Sequence, residues 1–248
     1  MRDTIYNLAE NANNQIVCTT HSPYMIDISK KPSQVLNSLW TTIKDDMSED
    51  GKAEVVESMP FNVTDEFIKL QEDSKENIKM ILKIDESIAR CFFVKKVLVV
   101  EGDTEQVVLT ETISRMPDEL KNQILSDWHI VRARGKAAII PLVKYLKAMT
   151  IDIYVIHDGD FETDGAERFN EPIRNALNDD DKLVVLQNCI EDVLGYSAPK
   201  SDKPFAAYKH IQENWTDWSS IPELWRKSVE KIFICGKTIK CQTHTDDT

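Results

Sequence analysis

Short apolar runs alternate with longer segments of helical apolar spacing through the middle of the chain. The run VLVV at 97–100 is followed by a segment with apolar residues at 107–109, 113 and 116, which ends before Pro117. Spacing of this kind predicts a helix after a buried strand. The same succession repeats after the runs WHIV, IYVI and LVVL. Strands that alternate with helices predict an α/β fold with a mainly parallel sheet.

The segments on either side of this alternation have other patterns. Near the amino end, residues 16–19 predict a short strand before a loop that contains His21, and residues 32–60 contain two strand-like pieces around the polar turn DDMSEDGK. Residues 66–89 have mostly helical spacing, and the tryptophan-containing carboxyl-terminal region predicts a small helical appendage. We therefore divide the chain into an amino-terminal region, a helical linker, a central sheet and a carboxyl-terminal helical region, at residues 1–60, 61–93, 94–195 and 196–248.

The composition narrows the class of protein. No apolar run reaches the roughly 18 residues of a membrane span, and the amino terminus lacks the charged-then-apolar order of a signal peptide, so we expect a cytoplasmic protein without a membrane partner. The five cysteines include no C-x-x-C pair that would indicate zinc or redox chemistry. The formal net charge of −12 argues against a broad basic surface for nucleic acid, although a carboxylate cluster that binds divalent cations would itself add negative charge.

Acidic residues follow three of the predicted strands. Glu101 and Glu105 follow the first strand, Asp158 and Asp160 the third, and Glu191 with its neighbour Asp192 the fourth. Because parallel strands end at the same edge of a sheet, we expect these side chains to converge. A concentration of like charge is unfavourable unless a cation neutralises it, and Mg²⁺ and Mn²⁺ prefer oxygen ligands. The sequence therefore predicts a site for divalent cations.

Each acidic motif also has a purely structural interpretation. Acids are common at helix starts, where Asp103 or Thr104 would cap the helix after the first strand. The D-x-D pair is also compatible with a solvated turn. An EF-hand calcium loop is excluded, because its required glycine and final glutamate positions are occupied by Thr163 and Phe169.

The two acidic motifs, taken in this order, resemble those of a known family. VLVVEGDTEQVVL and IYVIHDGDFETDG are similar to the E-G-x-T-E and D-x-D signatures of the Toprim domain, and the resemblance covers residues 94–195. With RARGK between them and NCIEDVL after them, they most resemble the OLD (overcoming lysogenisation defect) nucleases, of the class 2 or Gabija-like kind.

A second resemblance concerns the amino-terminal region. TTHSPYMID is similar to the switch-histidine loop of ABC-type ATPases, which precedes the Toprim domain in OLD proteins, and His21 would be the nucleotide-binding histidine. The G-x-x-x-x-G-K-[ST] phosphate loop does not occur in the sequence. We therefore interpret residues 1–60 as the carboxyl-terminal remnant of an ATPase module and expect ATP to act only in the full-length protein.

The resemblance implies metal-dependent cleavage of DNA phosphodiester bonds by two Mg²⁺ or Mn²⁺ ions. It implies that the two ions are held by the carboxylates Glu101, Glu105, Asp158, Asp160 and Glu191, and Glu101 is alternatively a general base. It also implies a lysine near the ions, for which Lys203 is the first candidate and Lys209 the second. Other implied partners are a helicase, as in Gabija-type phage defence, and further copies of the chain in the full-length protein.

Three cations after the second strand are candidates for DNA binding. Arg132, Arg134 and Lys136 surround Gly135 near the same predicted edge, where they would hold the DNA backbone. A solvated strand end is the competing interpretation.

Two alternative functions stay open. One is a Toprim ribonuclease, because RNA and DNA present the same phosphodiester to the metals. The other is a catalytically inactive Toprim module that serves binding or assembly in a defence complex. The presence of both E-G-x-T-E acids and both D-x-D acids argues against an inactive module.

Overall fold

The computed structural model describes residues 1–11, 14–22, 25–26, 34–45, 52–62, 65, 69, 73, 86–162 and 165–234. These residues belong to two compact units, Met1–Phe93 and Val94–Thr248. No described helix is long and apolar enough to cross a membrane. Cys18 and Cys189, two of the cysteines that the structure describes, are free thiols.

The second unit contains a four-stranded parallel sheet in the order β4-β3-β5-β6. Its strands are β3 (Lys96–Val100), β4 (Trp128–Arg132), β5 (Asp152–Asp158) and β6 (Leu183–Leu186). The central strands β3 and β5 are almost entirely buried, as expected for a parallel sheet that is covered on both faces. The predicted parallel sheet is therefore confirmed.

Seven α-helices surround this sheet among the described residues of the second unit. They are α2 (Asp103–Ser114), α3 (Asp118–Asp127), α4 (Lys136–Ala148), α5 (Asn170–Leu177), α6 (Ile190–Leu194), α7 (Lys203–Asn214) and α8 (Glu223–Ile234). Helix α3 was not predicted from the sequence, because its segment DELKNQILSD is mostly polar and has a single fully buried residue, Ile124.

The carboxyl-terminal helices share one hydrophobic core with the sheet. Trp215, Trp218 and Trp225 are buried in the same cluster as Leu98 and Ile156 of the sheet. The Nε1 atom of Trp225 donates a buried hydrogen bond of 2.8 Å to Oγ1 of Thr112 on α2. The predicted helical region after residue 195 is thus present, and it completes the core of the sheet domain.

The first unit is described by itself. It contains α1 (Arg2–Asn11), an antiparallel hairpin of β1 (Val35–Asp45) and β2 (Lys52–Asn62), and a 3-10 helix at Glu86–Phe93. The hairpin confirms the two strand-like pieces. The strand predicted over residues 16–19 was wrong: residues 14–22 have no regular structure and are mostly exposed, and no described strand pairs with them.

Two other expectations for the first unit are not decided by the fold. The helix predicted over residues 66–89 lies mainly outside the described residues, which here comprise residues 69, 73 and 86–89. The assignment of residues 1–60 to an ATPase module stays a prediction.

Candidate functional site

The turn after β3 positions the first two acids. Glu101 follows the last residue of β3. Glu105 lies in the first turn of α2 and is buried, with 5% of its surface exposed. The Oε2 atom of Glu105 accepts a hydrogen bond of 2.9 Å from the backbone N–H of Gly102. The second acid of this motif therefore stabilises the start of its own helix, because it pairs with a backbone donor that the helix leaves unsatisfied.

Glu101 and Asp158 have strongly perturbed protonation equilibria. Burial raises the pKa of Glu101 to about 7, and the negative charges of Glu105 and Asp160 add to the effect. Burial raises the pKa of Asp158 to about 8, with further contributions from Glu105, Glu101, Asp160 and Glu191. Burial likewise raises the pKa of Glu105. These mutual repulsions mean that the ends of β3 and β5 bring their acids together, as the topology predicts.

Glu191 approaches the same cluster from the start of α6. Its side chain is 1% exposed, and neither carboxylate oxygen accepts a hydrogen bond. The Nζ atom of Lys203, at the start of α7, lies 3.5 Å from Oε1 of Glu191. Burial lowers the pKa of Lys203, but the interactions with Glu191 and the charges of Cys189 and Asp158 together outweigh this effect, so that the pKa is raised. The short helices after β6 thus add one acid and one cation to the site.

Asp160 ends the D-x-D turn in a left-handed conformation with φ of 52°. Its Oδ2 atom accepts a hydrogen bond of 2.9 Å from Nζ of Lys136, the first residue of α4. Lys136 is 6% exposed, so its ammonium group faces the D-x-D turn. The sequence assigned this lysine to the DNA backbone, whereas in the structure it contacts an acid of the cluster.

Arg132 and Arg134 occupy the adjoining end of β4. The Nη1 atoms of Arg132 and Arg134 lie 2.8 Å and 3.4 Å from the carboxylate of Asp103, which is about half exposed. Backbone hydrogen bonds from Ala133 to Val100 and from Gly135 to Glu101 continue the pairing of β4 with β3 beyond the strand. The two arginines are therefore held beside the acids that follow β3.

The acidic side chains provide the donor chemistry that a divalent cation needs. Buried oxygens of Glu101, Asp158 and Glu191 accept no hydrogen bond in the described structure, and a buried carboxylate without a partner is costly. An all-oxygen set of this kind suits Mg²⁺ or Mn²⁺. Among the described residues, no three Asp, Glu, His or Cys side chains converge on one point. The residues fit a divalent cation chemically, and holding one would require side-chain rotation.

Four other polar residues, in or near the sequence motifs, have different surroundings from the clustered acids. Asp192 is exposed and accepts a hydrogen bond from Asn188, and Lys209 pairs with Glu213 on the surface of α7. His157 is fully buried, and burial lowers its pKa to about 4, so the imidazole is neutral at pH 7. His21 is exposed and belongs to the first unit.

One polar residue of the site was missed from the sequence. Asn170, at the start of α5, donates a hydrogen bond of 2.8 Å from Nδ2 to the carbonyl oxygen of Gly159 in the D-x-D turn. An asparagine at a helix start is usually a local cap, so no sequence signal connects it with a turn eleven residues earlier.

Two comparisons with known proteins bear on this site. Residues 92–160 match the family model described as overcoming lysogenization defect protein-like, TOPRIM domain. The chain is also 24% identical over 236 residues to a protein named OLD nuclease from Thermus scotoductus. That match covers 88% of this chain and 41% of the relative, so the chain spans about two fifths of the length of the curated relative it matches.

Both matches support a function of the nuclease type. The segment that matches the family model includes β3, β4 and β5 and carries four of the clustered acids. The parallel sheet, the flanking helices and the acids after β3 and β5 agree with this match. The central part of the chain therefore has the Toprim fold, and residues 92–160 are similar to the OLD-like type of this domain.

Proposed function

We propose that this chain carries the centre of a divalent-metal-dependent DNA endonuclease of the OLD type. The observation that carries the proposal is the proximity of acids from three strand ends, with raised pKa values for Glu101, Glu105 and Asp158. Perturbed pKa values are typical of functional sites, and here they arise from burial together with like charge. A structural role alone would not require so many partly buried carboxylates.

The neighbouring charges that raise the pKa of each acid suggest how the acids would bind two cations. Glu101 is perturbed by Glu105 and Asp160, whereas Glu105 is perturbed by Glu191. Asp158 is perturbed by all four of these acids and is therefore the central member. We infer that Glu101 and Asp160 would hold one ion, Glu105 and Glu191 the other, and Asp158 both.

Divalent ions held by these carboxylates would supply a bound water of lowered pKa and stabilisation of negative charge on the scissile phosphodiester. Glu101 is also suited to take the proton of that water. Its Oε2 atom has no hydrogen-bond partner, and a pKa of about 7 lies near the pH at which a general base works best. Lys203, whose side chain is 49% exposed, can reach toward a phosphate while remaining near Glu191.

The end of β4 forms one flank of the site and is suited to binding DNA. Arg132 and Arg134 are directed to Asp103 in the absence of nucleic acid, and a phosphate could replace that carboxylate as their partner. They lie on the opposite side of β3 from the acids that follow β5 and β6. A DNA backbone that runs along the carboxyl edge of the sheet would therefore contact cations on both flanks of the acids.

The first test is cleavage of supercoiled plasmid in EDTA, Mg²⁺, Mn²⁺ or Ca²⁺. We expect metal-dependent nicking that is lost in Asp158→Asn and retained in Asp118→Asn, a matched change at an exposed acid of α3. Metal binding without nicking would indicate that a further segment or partner is required. Absence of both binding and nicking would overturn the proposal in favour of a non-catalytic module. Faster cleavage of RNA than of DNA would redirect it to a ribonuclease.

A further inference from the structure

Lys136 is positioned for a task other than DNA binding. Its Nζ atom donates hydrogen bonds to Oδ2 of Asp160 at 2.9 Å and to the carbonyl oxygen of Gly159 at 3.3 Å. Both acceptors belong to the D-x-D turn, and the lysine is 6% exposed. A side chain that binds the phosphate backbone must present its charge to solvent, and this one does not.

The D-x-D turn is held from several sides. The carbonyl oxygen of Gly159 accepts a second hydrogen bond from Asn170, and the N–H of Asp160 donates one of 3.0 Å to the carbonyl oxygen of Asn188. A Cβ atom on Gly159 would lie 2.4 Å from the carbonyl oxygen of Leu186, so only glycine allows this approach to the end of β6. The turn thus packs against the end of β6. We call the hydrogen bonds from Lys136 and Asn170 to the carbonyl oxygen of Gly159 the clamp.

This clamp offsets an unfavourable backbone conformation. Asp160 has φ of 52°, a left-handed conformation that an aspartate adopts only when its surroundings favour it. The hydrogen bonds to Gly159 and Asp160 supply that stabilisation, and the ion pair with Lys136 fixes one carboxylate oxygen. The charge of the same carboxylate acts on Glu101 and Asp158.

We infer that Lys136 and Asn170 are positioning residues that hold the Gly159–Asp160 peptide, and with it the Asp160 carboxylate, in the geometry needed at the acidic centre. The inference rests on the proposed function, because it deepens the role of Asp160 there. Lys136 acts through charge and a hydrogen bond, and Asn170 acts through a neutral hydrogen bond to the same carbonyl oxygen. The two side chains come from different helices, α4 and α5, so they tie the turn to both.

The first experiment measures hydrogen exchange of the Asp160 amide in metal-free protein. We expect exchange at least tenfold faster in Lys136→Met and in Asn170→Ala than in wild type, because the amide loses its fixed partner once the turn is released. Lys147→Met is the matched control: this lysine lies on the same helix and donates to the carbonyl oxygen of Leu177, far along the chain from the turn. Unchanged protection of the Asp160 amide in both variants would overturn the inference.

The second experiment separates positioning from DNA contact. In Lys136→Met we expect turnover of plasmid DNA to fall at least tenfold at saturating Mg²⁺, with the Kd for DNA and its salt dependence unchanged, and Lys136→Arg should recover part of the rate. A raised Kd with a shallower salt slope and unchanged turnover would instead identify a phosphate contact and overturn the inference. If Lys136→Met fails to fold, the neutral Asn170→Ala variant carries both measurements. Failure of wild type to cleave would count against the proposed function, while the exchange result would still decide whether the clamp exists.

Discussion

Lys203 Nζ lies 3.5 Å from Oε1 of Glu191, a carboxylate that is 1% exposed and accepts no hydrogen bond. The pairing joins the starts of α6 and α7, two helices that follow the last strand of the sheet. A buried charge without a partner is strongly unfavourable. Among the described residues, this half-exposed lysine is the counter-charge nearest to Glu191. The same ammonium is accessible enough to contact a substrate phosphate.

Lys203→Met should therefore affect both stability and cleavage. We expect the free energy of unfolding of metal-free protein to fall by about 1 kcal/mol, since the pair is partly solvated, and cleavage to fall by roughly 100-fold, the loss typical of a group that stabilises transition-state charge. Chemical denaturation and plasmid nicking measure the two effects. Lys209→Met is the control, because this lysine lies on the same helix and pairs with Glu213 on its surface. Equal effects of both substitutions would contradict the assignment.

Glu101→Gln distinguishes two roles for the first acid. The substitution preserves size and should abolish cleavage, a loss on the order of 100-fold or more for a general base. Calorimetry with Mn²⁺ then separates the roles: a retained stoichiometry indicates a base, and the loss of one ion indicates a ligand. Cleavage at the wild-type rate would exclude Glu101 from the chemistry.

Metal-free protein should become less stable as the pH rises from about 4 to about 8. The pKa values of about 7 for Glu101 and about 8 for Asp158 lie above the ordinary values of 4.5 and 3.8. Between these limits the two carboxyls bind more protons in the folded protein than in the unfolded chain, and together they outweigh the opposite contribution of His157, whose pKa is lowered to about 4. Stability falls with pH wherever the folded state binds more protons. The Tm in EDTA should therefore be lower at pH 8 than at pH 5.

Two changes should reduce this pH dependence. Asp158→Asn removes the group with the larger shift and should flatten the decline in Tm, and saturating Mg²⁺ should raise the Tm mainly at pH 8, where the acids are charged. A Tm in EDTA that rises between pH 5 and pH 8, in both wild type and Asp158→Asn, would contradict the raised pKa values.

Removal of an arginine and removal of the Asp103 charge should have opposite effects on DNA binding. Arg134→Met should weaken binding and lower the slope of log K against log salt by about 1, as expected for the loss of one phosphate contact. Asp103→Asn should strengthen binding, because the arginines lose a competing carboxylate at 2.8 Å and 3.4 Å. Fluorescence anisotropy at several salt concentrations measures both. Weaker binding by Asp103→Asn would indicate that the carboxylate is needed to orient the arginines.

A fragment of residues 94–195 should fail to fold cooperatively, whereas residues 94–234 should fold. The shorter fragment lacks the buried Trp215, Trp218 and Trp225 of the shared core. Burial of each large aromatic side chain contributes about 2 to 3 kcal/mol, and the three together approach the whole stability of a typical domain, about 5 to 15 kcal/mol. Near-UV circular dichroism and thermal melting measure the outcome. A sharp melting transition in the shorter fragment would show that the carboxyl-terminal helices are dispensable.

The sheet and the convergence of acids could be predicted because both follow from local pattern and topology. Strands such as β3 are short apolar runs, and parallel strands end at a common edge, so Glu101 and Asp158 had to be neighbours. The task of Lys136 could not be predicted in this way. In the sequence it is one of three cations around Gly135, and only the fold buries it against Asp160.

Other differences have equally specific causes. Helix α3 has a single fully buried residue, so its apolar period is too weak to read. The run at residues 16–19 is apolar enough for a strand, but no described strand supplies backbone partners. The tryptophans after residue 195 were assigned to an appendage, because sequence periodicity does not indicate which surface a helix covers.

The backbone pairing beyond β4 has a mechanical consequence. The N–H of Gly135, a residue with φ of 119°, donates a hydrogen bond of 3.0 Å to the carbonyl oxygen of Glu101. The loop that bears Arg134 is therefore tied to the peptide of the first acid through the backbone. A displacement of Arg134 on binding a phosphate would therefore reach the backbone that orients Glu101. Substrate binding and the alignment of this acid would be coupled through the hydrogen bond between Gly135 and Glu101.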